Sequence, residues 1–290
     1  GKTTCSSCVG IYLSEKNKNT LLISTDPAHS LSDSLGLEIG DQIRQISGAA
    51  RLSGLEINAE KAFSQFKLQY GDEIKRILDT STYLSEEDID EVFSLTIPGI
   101  DEVMGFKTIV DLIEESNFDK YVVDTAPTGH ALRLLTLPGL LDDWIKVMAK
   151  MRWKYRYIKK TFAGEYTPDK VDDFLLNLKK TVKKIEGLLR DEKRCEFIVV
   201  VIPEDMAIKE TERLVKSLTQ YRIKVRHLII NNIIPEHINC PFCQERRKGQ
   251  DKYIGHIRDR FSNLQITSIT LQPHEVKGID ALKGLGNILM

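Results

Sequence analysis

The sequence lacks a long apolar run, a strong net charge and an abundance of cysteine. Its 290 residues carry 41 Lys and Arg against 42 Asp and Glu, for a formal net charge of -1, so no global charge attracts nucleic acid. No apolar run approaches the roughly 20 residues that a bilayer-spanning helix needs, and no signal peptide is visible. Five cysteines, an odd number, favour a reducing compartment and metal or redox roles over a disulfide scaffold. We therefore expect a cytoplasmic protein that binds no nucleic acid.

The sequence also lacks a glycine-rich run before Lys2, where the pattern of its first four residues would require one. Gly1-Lys2-Thr3-Thr4 reads as the end of a phosphate-binding loop. In such a loop the Lys reaches the β- and γ-phosphates, the next hydroxyl binds Mg²⁺, and preceding backbone N–H groups cradle the phosphates. The strand and glycines that should precede Lys2 are absent, so a chain starting at Gly1 should bind ATP poorly. A clipped gene sequence is the expected explanation.

What the sequence does contain is an alternation of short apolar runs with segments of helical periodicity. The runs predicted as buried, mostly parallel strands are residues 21–24, 55–57, 121–124, 197–202, 227–231 and 266–271. Helical patterns such as 204–218 and 253–261 separate most of them. This alternation predicts an α/β fold with a doubly wound, mostly parallel sheet, in which ligands bind beyond the carboxyl ends of the strands.

Two long stretches, residues 59–116 and 137–194, carry helical patterns without a convincing strand. We expect them to be helical insertions beside a nucleotide-binding core, which residues 1–58, 117–136 and 195–290 would form. In the second stretch apolar residues recur at three- and four-residue steps, and seven Lys and Arg lie between Trp144 and Gly164 without an acidic residue. Such a helix packs on its own core, lies on a membrane surface or lines a groove for another apolar helix.

Two strand ends carry carboxylates of the kind that nucleotide hydrolysis requires. Asp26 leaves the first predicted strand just before Pro27, where it could orient a water for attack on a γ-phosphate or simply form a turn. Asp124 ends another apolar strand, an arrangement in which an acidic residue holds Mg²⁺ directly or through water. The loop that follows, with Pro127 and Gly129, is either a switch that responds to the γ-phosphate or an ordinary strand-to-helix connection.

Cys240 and Cys243 form a C-x-x-C in a Pro-containing polar loop just before a helix rich in Lys and Arg. Two thiolates at this spacing can chelate Zn²⁺, but a closed structural site needs two more ligands. The same pair from a second chain could supply them, with His237 a local competitor and Cys195 also conceivable. A redox-active dithiol and two unligated thiols are the alternatives. A second C-x-x-C, Cys5 and Cys8, falls in the helix expected after the phosphate loop and should be buried in the core.

Together these segments resemble the deviant-P-loop ATPases of the arsenite-pump and tail-anchored-protein targeting family, and within it the eukaryotic guided-entry targeting ATPases. The resemblance rests on Gly1-Lys2-Thr3-Thr4 and on residues 25–33 and 124–130. It continues through nearly the whole chain, in Ile97-Pro98-Gly99-Ile100-Asp101-Glu102, Leu132-Arg133, Ile230-Asn231-Asn232 and Cys240-Pro241-Phe242-Cys243. It implies a P-loop NTPase fold whose first strand and front half of the phosphate loop are missing here, together with a second lysine of that half.

The resemblance implies ATP and Mg²⁺ as cofactors and gives each matching residue a role. The nucleotide phosphates would contact Gly1, Lys2, Thr3 and Thr4. The attacking water would be polarised by Asp26. The magnesium and switch region would comprise Thr3, Asp33, Asp124, Pro127 and Gly129. Adenine would be recognised by Asn231, in a pocket closed by the loop that carries Pro273 and Glu275.

The resemblance further implies a homodimer that shares one Zn²⁺ between the Cys240 and Cys243 pairs of its two subunits. In this family the helical insertions form a hydrophobic groove that shields the transmembrane helix of a client in the nucleotide-bound dimer. Here the groove is expected to include Leu141, Trp144, Ile145, Met148 and Met151. We therefore expect a cytoplasmic ATPase, peripheral at the endoplasmic reticulum, that captures tail-anchored proteins and passes them to a membrane receptor.

Three other functions compete with this expectation. An arsenite- or antimonite-stimulated pump ATPase typically fuses two homologous halves and uses a cysteine triad, whereas this sequence shows one half and no obvious triad. A redox-controlled holdase chaperone would bind unfolded chains when its C-x-x-C cysteines oxidise and release zinc. A partition-type ATPase that cycles on membranes is disfavoured because the terminal helix lacks a strong amphipathic anchor.

Overall fold

The computed structural model describes residues 1–26, 30–58, 100–125, 170–236 and 239–289. It also describes single helical positions between residues 61 and 75 and at 146, 149, 150 and 153. Within this part of the chain, no helix combines the length and the apolar character that crossing a membrane requires.

Helices and strands alternate along the described residues, seven of each. The helices are α1 (Lys2–Glu15), α2 (Ser30–Leu35), α3 (Ile100–Glu115), α4 (Lys170–Arg190), α5 (Asp205–Gln220), α6 (Pro241–Arg260) and α7 (Ile279–Leu289). The strands are β1 (Thr20–Ser24), β2 (Arg44–Gln45), β3 (Leu52–Glu56), β4 (Lys120–Asp124), β5 (Phe197–Val201), β6 (Val225–Ile233) and β7 (Gln265–Thr270). The predicted α/β class is confirmed.

The strands form two hydrogen-bonded groups that are almost entirely parallel. In the first, the order is β2-β3-β1-β4, and β1 pairs in parallel with both β3 and β4. In the second, the order is β5-β6-β7, again with parallel pairs. The six predicted strands are all present. The short antiparallel β2 was missed because exposed Arg44 and Gln45 give no apolar signal.

The chain divides into two compact units. The first comprises Gly1–Ile57, Glu115–Leu132 and Leu189–Met290, and the second comprises Asn58–Glu114 and Arg133–Leu188. All seven described strands belong to the first unit, which therefore carries the edge of the sheet where ligands bind in folds of this class. The described residues of the second unit lie in helices or their immediate flanks.

The main core of the first unit packs α1 and α7 against the first group of strands. Its buried residues include Leu22 of β1, Leu52 of β3, and Leu282 and Leu285 of α7. The thiols of Cys5 and Cys8 belong to the same cluster, and their burial raises the pKa of Cys5 to about 11 and that of Cys8 to about 12. Both thiols are therefore protonated and pack as small apolar groups. The prediction that this C-x-x-C is core is confirmed.

A glycine allows α7 to approach α1 closely. Gly286 is buried, and a Cβ added to it would lie 3.2 Å from the carbonyl oxygen of Cys8 in α1. The neighbouring Gly284 is exposed, and a Cβ there would meet nothing within 4 Å. The two glycines therefore form a matched pair for testing this contact.

Gly286→Ala should give a lower free energy of unfolding than Gly284→Ala. Alanine at the exposed position should gain about 0.5–1 kcal/mol of helix propensity. At Gly286 the same gain is opposed by a contact with rigid helix backbone, which only a shift of α7 can relieve. Urea denaturation of both variants measures the difference. Equal stabilisation would show that the two helices are not packed this closely.

Candidate functional site

The pairing of β1 with β4 brings two acidic residues to one edge of the sheet. Ser24 and Asp124, the last residues of the two strands, are partners in the parallel register. Directly beyond them, the backbone N–H of Thr25 donates to the carbonyl oxygen of Asp124 at 3.0 Å. Asp26 therefore leaves the sheet beside Asp124, although the two residues are far apart in the sequence.

Hydroxyl groups connect the start of α1 to Asp26. Oγ1 of Thr3 lies 3.2 Å from Oγ of Ser30, the first residue of α2. The Ser30 hydroxyl in turn donates to Oδ2 of Asp26 at 3.1 Å. The predicted phosphate and magnesium residue Thr3 is thus separated from the predicted water-orienting residue by a single hydroxyl. Sequence reasoning missed Ser30, whose only signal was its position in the run 25–33.

Asp124 carries a buried carboxylate that is only partly hydrogen-bonded. Its exposure is 2%, and its Oδ2 has no hydrogen-bond partner among the described residues. Burial, the largest influence, raises the pKa of Asp124, and the nearby charge of Asp26 raises it further. The Thr3 hydroxyl, the charge of Lys2 and the Ser6 hydroxyl lower it. The net shift is upward.

These groups form a set of oxygen donors beside one positive charge. An orphaned carboxylate oxygen next to a threonine hydroxyl is the kind of hard oxygen donor set that Mg²⁺ prefers, and Lys2 adds a cation suited to phosphate. The residues present therefore fit a magnesium–nucleotide complex at the edge formed by β1 and β4.

A second buried carboxylate, also missed by sequence reasoning, holds α2 in place. Glu56 ends β3 beside Ser24 and is buried. Its two oxygens accept hydrogen bonds from the backbone N–H and the hydroxyl of Ser32, both at 2.9 Å. Because α2 carries Ser30, this contact also fixes the hydroxyl that bonds Asp26. The predicted switch residue Asp33 lies on the same helix and is exposed.

The predicted adenine residue lies close to the start of α1. Asn231 is buried near the end of β6, and a Cβ added to Gly1 would lie 2.8 Å from its Nδ2. Two predicted nucleotide contacts, one for phosphate and one for the base, are therefore neighbours. Their role in binding stays a prediction.

The segment after β7 runs along the end of β6. The backbone N–H of Leu271 donates to the carbonyl oxygen of Ile233 at 2.7 Å. Pro273 and Glu275 follow in this segment and are both exposed. Both residues are therefore available to a ligand at this end of the sheet. A loop that closes over a base needs side chains that are accessible in this way.

The C-x-x-C lies at the start of a helix rather than in a loop before one. Cys240 caps α6, Pro241 occupies a first-turn position, and Cys243 lies within the first turn. The predicted polar loop is wrong at this point. Proline suits the first turn because its missing N–H would have no helical partner there.

The two thiols of this pair have different acidities. The neighbouring backbone and thiol of Cys243, and after them the backbone of Phe242, lower the pKa of Cys240. The pKa of Cys243 is raised, first by the adjacent thiol of Cys240. Within the described part of the chain, no group of three or more His, Cys, Asp or Glu is placed to hold a metal. The competitor His237 lies outside that part. The pair offers two thiolate ligands, and a closed zinc site would need two more.

Seven predicted site residues lie outside the part of the chain that the structure describes. Those outside the described residues are Pro127, Gly129, Leu141, Trp144, Ile145, Met148 and Met151.

An α/β fold with Lys2, Thr3 and two acidic strand ends at one sheet edge defines a nucleotide-hydrolysing protein of the P-loop class. The chain belongs to the anion-transporting ATPase family, which matches residues 1–290. This confirms the resemblance and the predicted ATPase activity, and family membership implies ATP with Mg²⁺ as the nucleotide.

The chain is similar to several proteins named as ATPases, and the similarity extends over most of the length of each. It is 34% identical over 298 residues to ATPase ASNA1 homolog 1 of Paramecium tetraurelia, covering 100% of this chain and 89% of that protein. It is 34% identical over 311 residues to ATPase GET3B of Arabidopsis thaliana, covering 100% and 76%. It is 31% identical over 301 residues to ATPase GET3 of Mycosarcoma maydis, covering 100% and 87%.

Asp124→Asn should stabilise the nucleotide-free protein at neutral pH and abolish Mg²⁺-dependent nucleotide binding. Because burial raises the pKa of Asp124 above its ordinary 3.8, the folded state binds this proton more tightly than the unfolded state. Stability is therefore lost as the pH rises from that ordinary value through the raised one. The neutral amide avoids this loss, which should be about 1–3 kcal/mol, the usual cost of a buried unsatisfied polar group.

Thermal denaturation from about pH 4 to about pH 7 tests this expectation, because that range begins near the ordinary pKa of an aspartate and extends above it. The stability of the variant relative to the wild type should increase with pH. Asp33→Asn, at an exposed position of α2, serves as the control and should show little change. A constant difference for Asp124→Asn would mean that this carboxylate is solvated.

Proposed function

We propose that the protein is a cytosolic ATP-dependent targeting factor that captures the transmembrane segment of tail-anchored proteins and delivers it to a receptor at the endoplasmic reticulum. The observation that carries the proposal is the cluster of Lys2, Thr3, Asp26 and Asp124 at one sheet edge, in a chain that belongs to the anion-transporting ATPase family. Membership gives the ATPase, and the resemblance to guided-entry ATPases gives the client.

In the proposed mechanism, the residues around β1 and β4 divide the work of hydrolysis. Lys2 and Thr3 would hold the phosphates, and Asp124 with Thr3 would hold a magnesium ion, which would supply charge neutralisation at the phosphates. Asp26 orients a water for in-line attack on the γ-phosphorus, and the bond to the β-phosphate oxygen breaks to give ADP and phosphate. The bond from Ser30 to Asp26 supports this role because it limits the rotation of the carboxylate.

Asn231 supplies recognition of the base. A side-chain amide offers one donor and one acceptor, the pair that matches the edge of adenine. The burial of Asn231 supports the proposal because a hydrogen bond strengthens where water is excluded. The exposed loop that carries Pro273 and Glu275 closes the pocket.

Nucleotide controls a homodimer that opens and closes. ATP can shift this equilibrium only if it binds the closed state better than the open one. The Cys240 and Cys243 pairs of both subunits would hold one Zn²⁺, which would stabilise the dimer contact. The apolar surface around this pair supports such a contact: Phe242, between the two cysteines, is 72% exposed.

A second exposed apolar residue lies near the same helix end. Met206, at the start of α5, is 77% exposed. Glu204, two residues before it, forms an ion pair with Arg246 in the second turn of α6 at 3.4 Å, so the N-terminal parts of α5 and α6 are linked. Phe242 and Met206 are thus exposed at the N-terminal parts of two linked helices, and exposed aromatic and Met side chains are typical of protein interfaces.

Client binding is assigned to the helical unit of Asn58–Glu114 and Arg133–Leu188. Two of its described large apolar side chains support this, since Leu68 is 88% and Trp153 68% exposed. A soluble targeting factor needs such surface to shield a transmembrane helix, as in other helix-in-groove complexes. Hydrolysis opens the dimer and releases the client.

A redox-controlled holdase is the second candidate, and the place of the C-x-x-C at a helix start favours it. Cys240 is the N-cap residue of α6 and Cys243 lies in its first turn, a position that stabilises reactive thiolates. In that case oxidation of the pair, rather than ATP, would control the binding of unfolded chains.

Co-expression with a tail-anchored protein should yield a complex only when that protein retains its terminal transmembrane segment. Affinity purification measures the complex. The matched control replaces the segment with a polar one of equal length, and recovery that ignores the segment would refute the targeting function.

Asp26→Asn in the full-length protein should leave nucleotide binding intact, slow turnover by on the order of 10²-fold or more, and retain the client longer. Phosphate release measures the turnover, and affinity purification measures the retained client. Unchanged turnover would refute the role of Asp26.

The double variant Cys240→Ser, Cys243→Ser should lose zinc and become monomeric, because serine hydroxyls do not replace thiolate ligands. Metal analysis and light scattering after gel filtration measure the two losses. Cys195→Ser, at a half-buried cysteine outside the C-x-x-C, is the control and should keep both metal and dimer. A double variant that remains a metal-bearing dimer would reject the shared site, and a wild type that sheds clients on reduction alone would favour the holdase.

A further inference from the structure

Strand β6 bends immediately after the proposed adenine residue, where its register with β7 shifts between Ile230 and Ile233. Asn232, which follows Asn231, has a φ of +60°, in the left-handed region that residues other than glycine rarely adopt. Such a conformation persists where neighbouring groups hold it. The contacts of the next residues show which groups do so.

Gln250 of α6 holds both sides of this bend with one buried side chain. Its Oε1 accepts the backbone N–H of Ile234 at 2.9 Å, and its Nε2 donates to the carbonyl oxygen of Asn232 at 3.1 Å. A single amide thus satisfies one backbone donor and one backbone acceptor that flank Ile233. Loss of the amide would leave the buried N–H of Ile234 without this partner, which favours a different path for the chain.

Arg247, one helical turn earlier, adds two contacts to the same segment. Its Nη1 donates to the carbonyl oxygen of Ile234 at 2.5 Å, and its Nη2 contacts Oε1 of Glu236 at 3.1 Å. Its Nε donates to Asp251 of its own helix at 2.8 Å, so the guanidinium is oriented from both sides. The planar fork of arginine makes such multiple contacts specific.

We propose that Gln250, supported by Arg247, is a positioning residue that directs Asn231 at the base and so determines the preference for adenine. The inference rests on the proposed function, which places adenine at Asn231. Asn231 directly precedes Asn232, where the chain bends. Its side-chain amide lies close to Gly1, since a Cβ added to Gly1 would lie 2.8 Å from Nδ2. A small change in the path of the chain would therefore move the donor and the acceptor of this amide. Gln250 and Arg247 together form a clamp, and the hydrogen bonds described for them go to residues 232–236 and 251, not to the phosphate residues Lys2 and Thr3 of α1.

This division predicts which part of nucleotide affinity depends on Gln250. Without the clamp, Asn231 loses its fixed direction, so the adenine-dependent part of binding is lost while the phosphate-dependent part remains. The preference for ADP over GDP should fall about 10-fold, the order of discrimination that one well-placed side-chain–base pair provides. The affinity for GDP, which lacks the matching edge, should hardly change.

The test uses the full-length protein with Gln250→Met, which keeps the length of the side chain and removes both hydrogen bonds. Calorimetric titration with ADP and GDP gives the preference, and hydrogen–deuterium exchange at the Ile234 amide reports the clamp without any nucleotide. Gln220→Met makes the same change at an exposed position of α5 and should alter neither. Gln250→Glu keeps the acceptor for Ile234 and loses the donor to Asn232, so an intermediate preference is expected. This variant also serves if the Met variant does not fold.

Faster exchange at Ile234 together with a reduced preference for ADP supports the proposal. Faster exchange with an unchanged preference overturns it, because the bend would then be held without directing Asn231. A wild-type protein that binds ADP no better than GDP overturns the adenine assignment in the proposed function, and the inference with it. These results are distinguishable because the exchange measurement does not depend on nucleotide.

Discussion

The parallel pairing of β1 with β4 is the constraint on which the candidate site depends. It sets Ser24 opposite Asp124, and from that register Asp26, Thr25 and the start of α1 all reach one edge of the sheet. A shift of one residue would turn Asp124 to the other face and separate it from Thr3. The apolar core beneath, with Leu22 fully buried between the helices and the strands, holds the register, so the chemistry is a consequence of packing.

Asp124 shows a conflict between stability and function. Its carboxylate is buried with one oxygen unpaired among the described residues, and burial raises its pKa. A protein selected for stability alone would place a neutral or apolar group there. The conflict is resolved if a cation occupies the site, since metal coordination compensates for the lost hydration. Local departures of this kind are expected where a fold serves a ligand.

One helix supports two parts of the proposed mechanism. The first turn of α6 carries Cys240 and Cys243, the proposed zinc ligands, and its middle carries Arg247 and Gln250, which hold the chain after Asn231. The dimer contact and the nucleotide base would therefore share a rigid element. Such an arrangement gives a physical route by which a state of one site can bias the other.

The sequence by itself predicted the α/β class, the six main strands and the buried Cys5–Cys8 pair, because apolar runs and their spacing are local signals. It also placed Asp26, Asp124 and Asn231 at strand ends, where parallel sheets bind ligands. It did not predict β2, Ser30 or the helical position of Cys243, since short or polar segments carry little pattern.

Only the tertiary structure revealed that Glu56 holds Ser32 and that Gln250 holds the bend at Asn232. A buried glutamate or glutamine looks like any other in the sequence. The partner of such a side chain is decided by which backbone groups the packed sheet leaves unpaired beside it, and that is settled only when distant segments have come together.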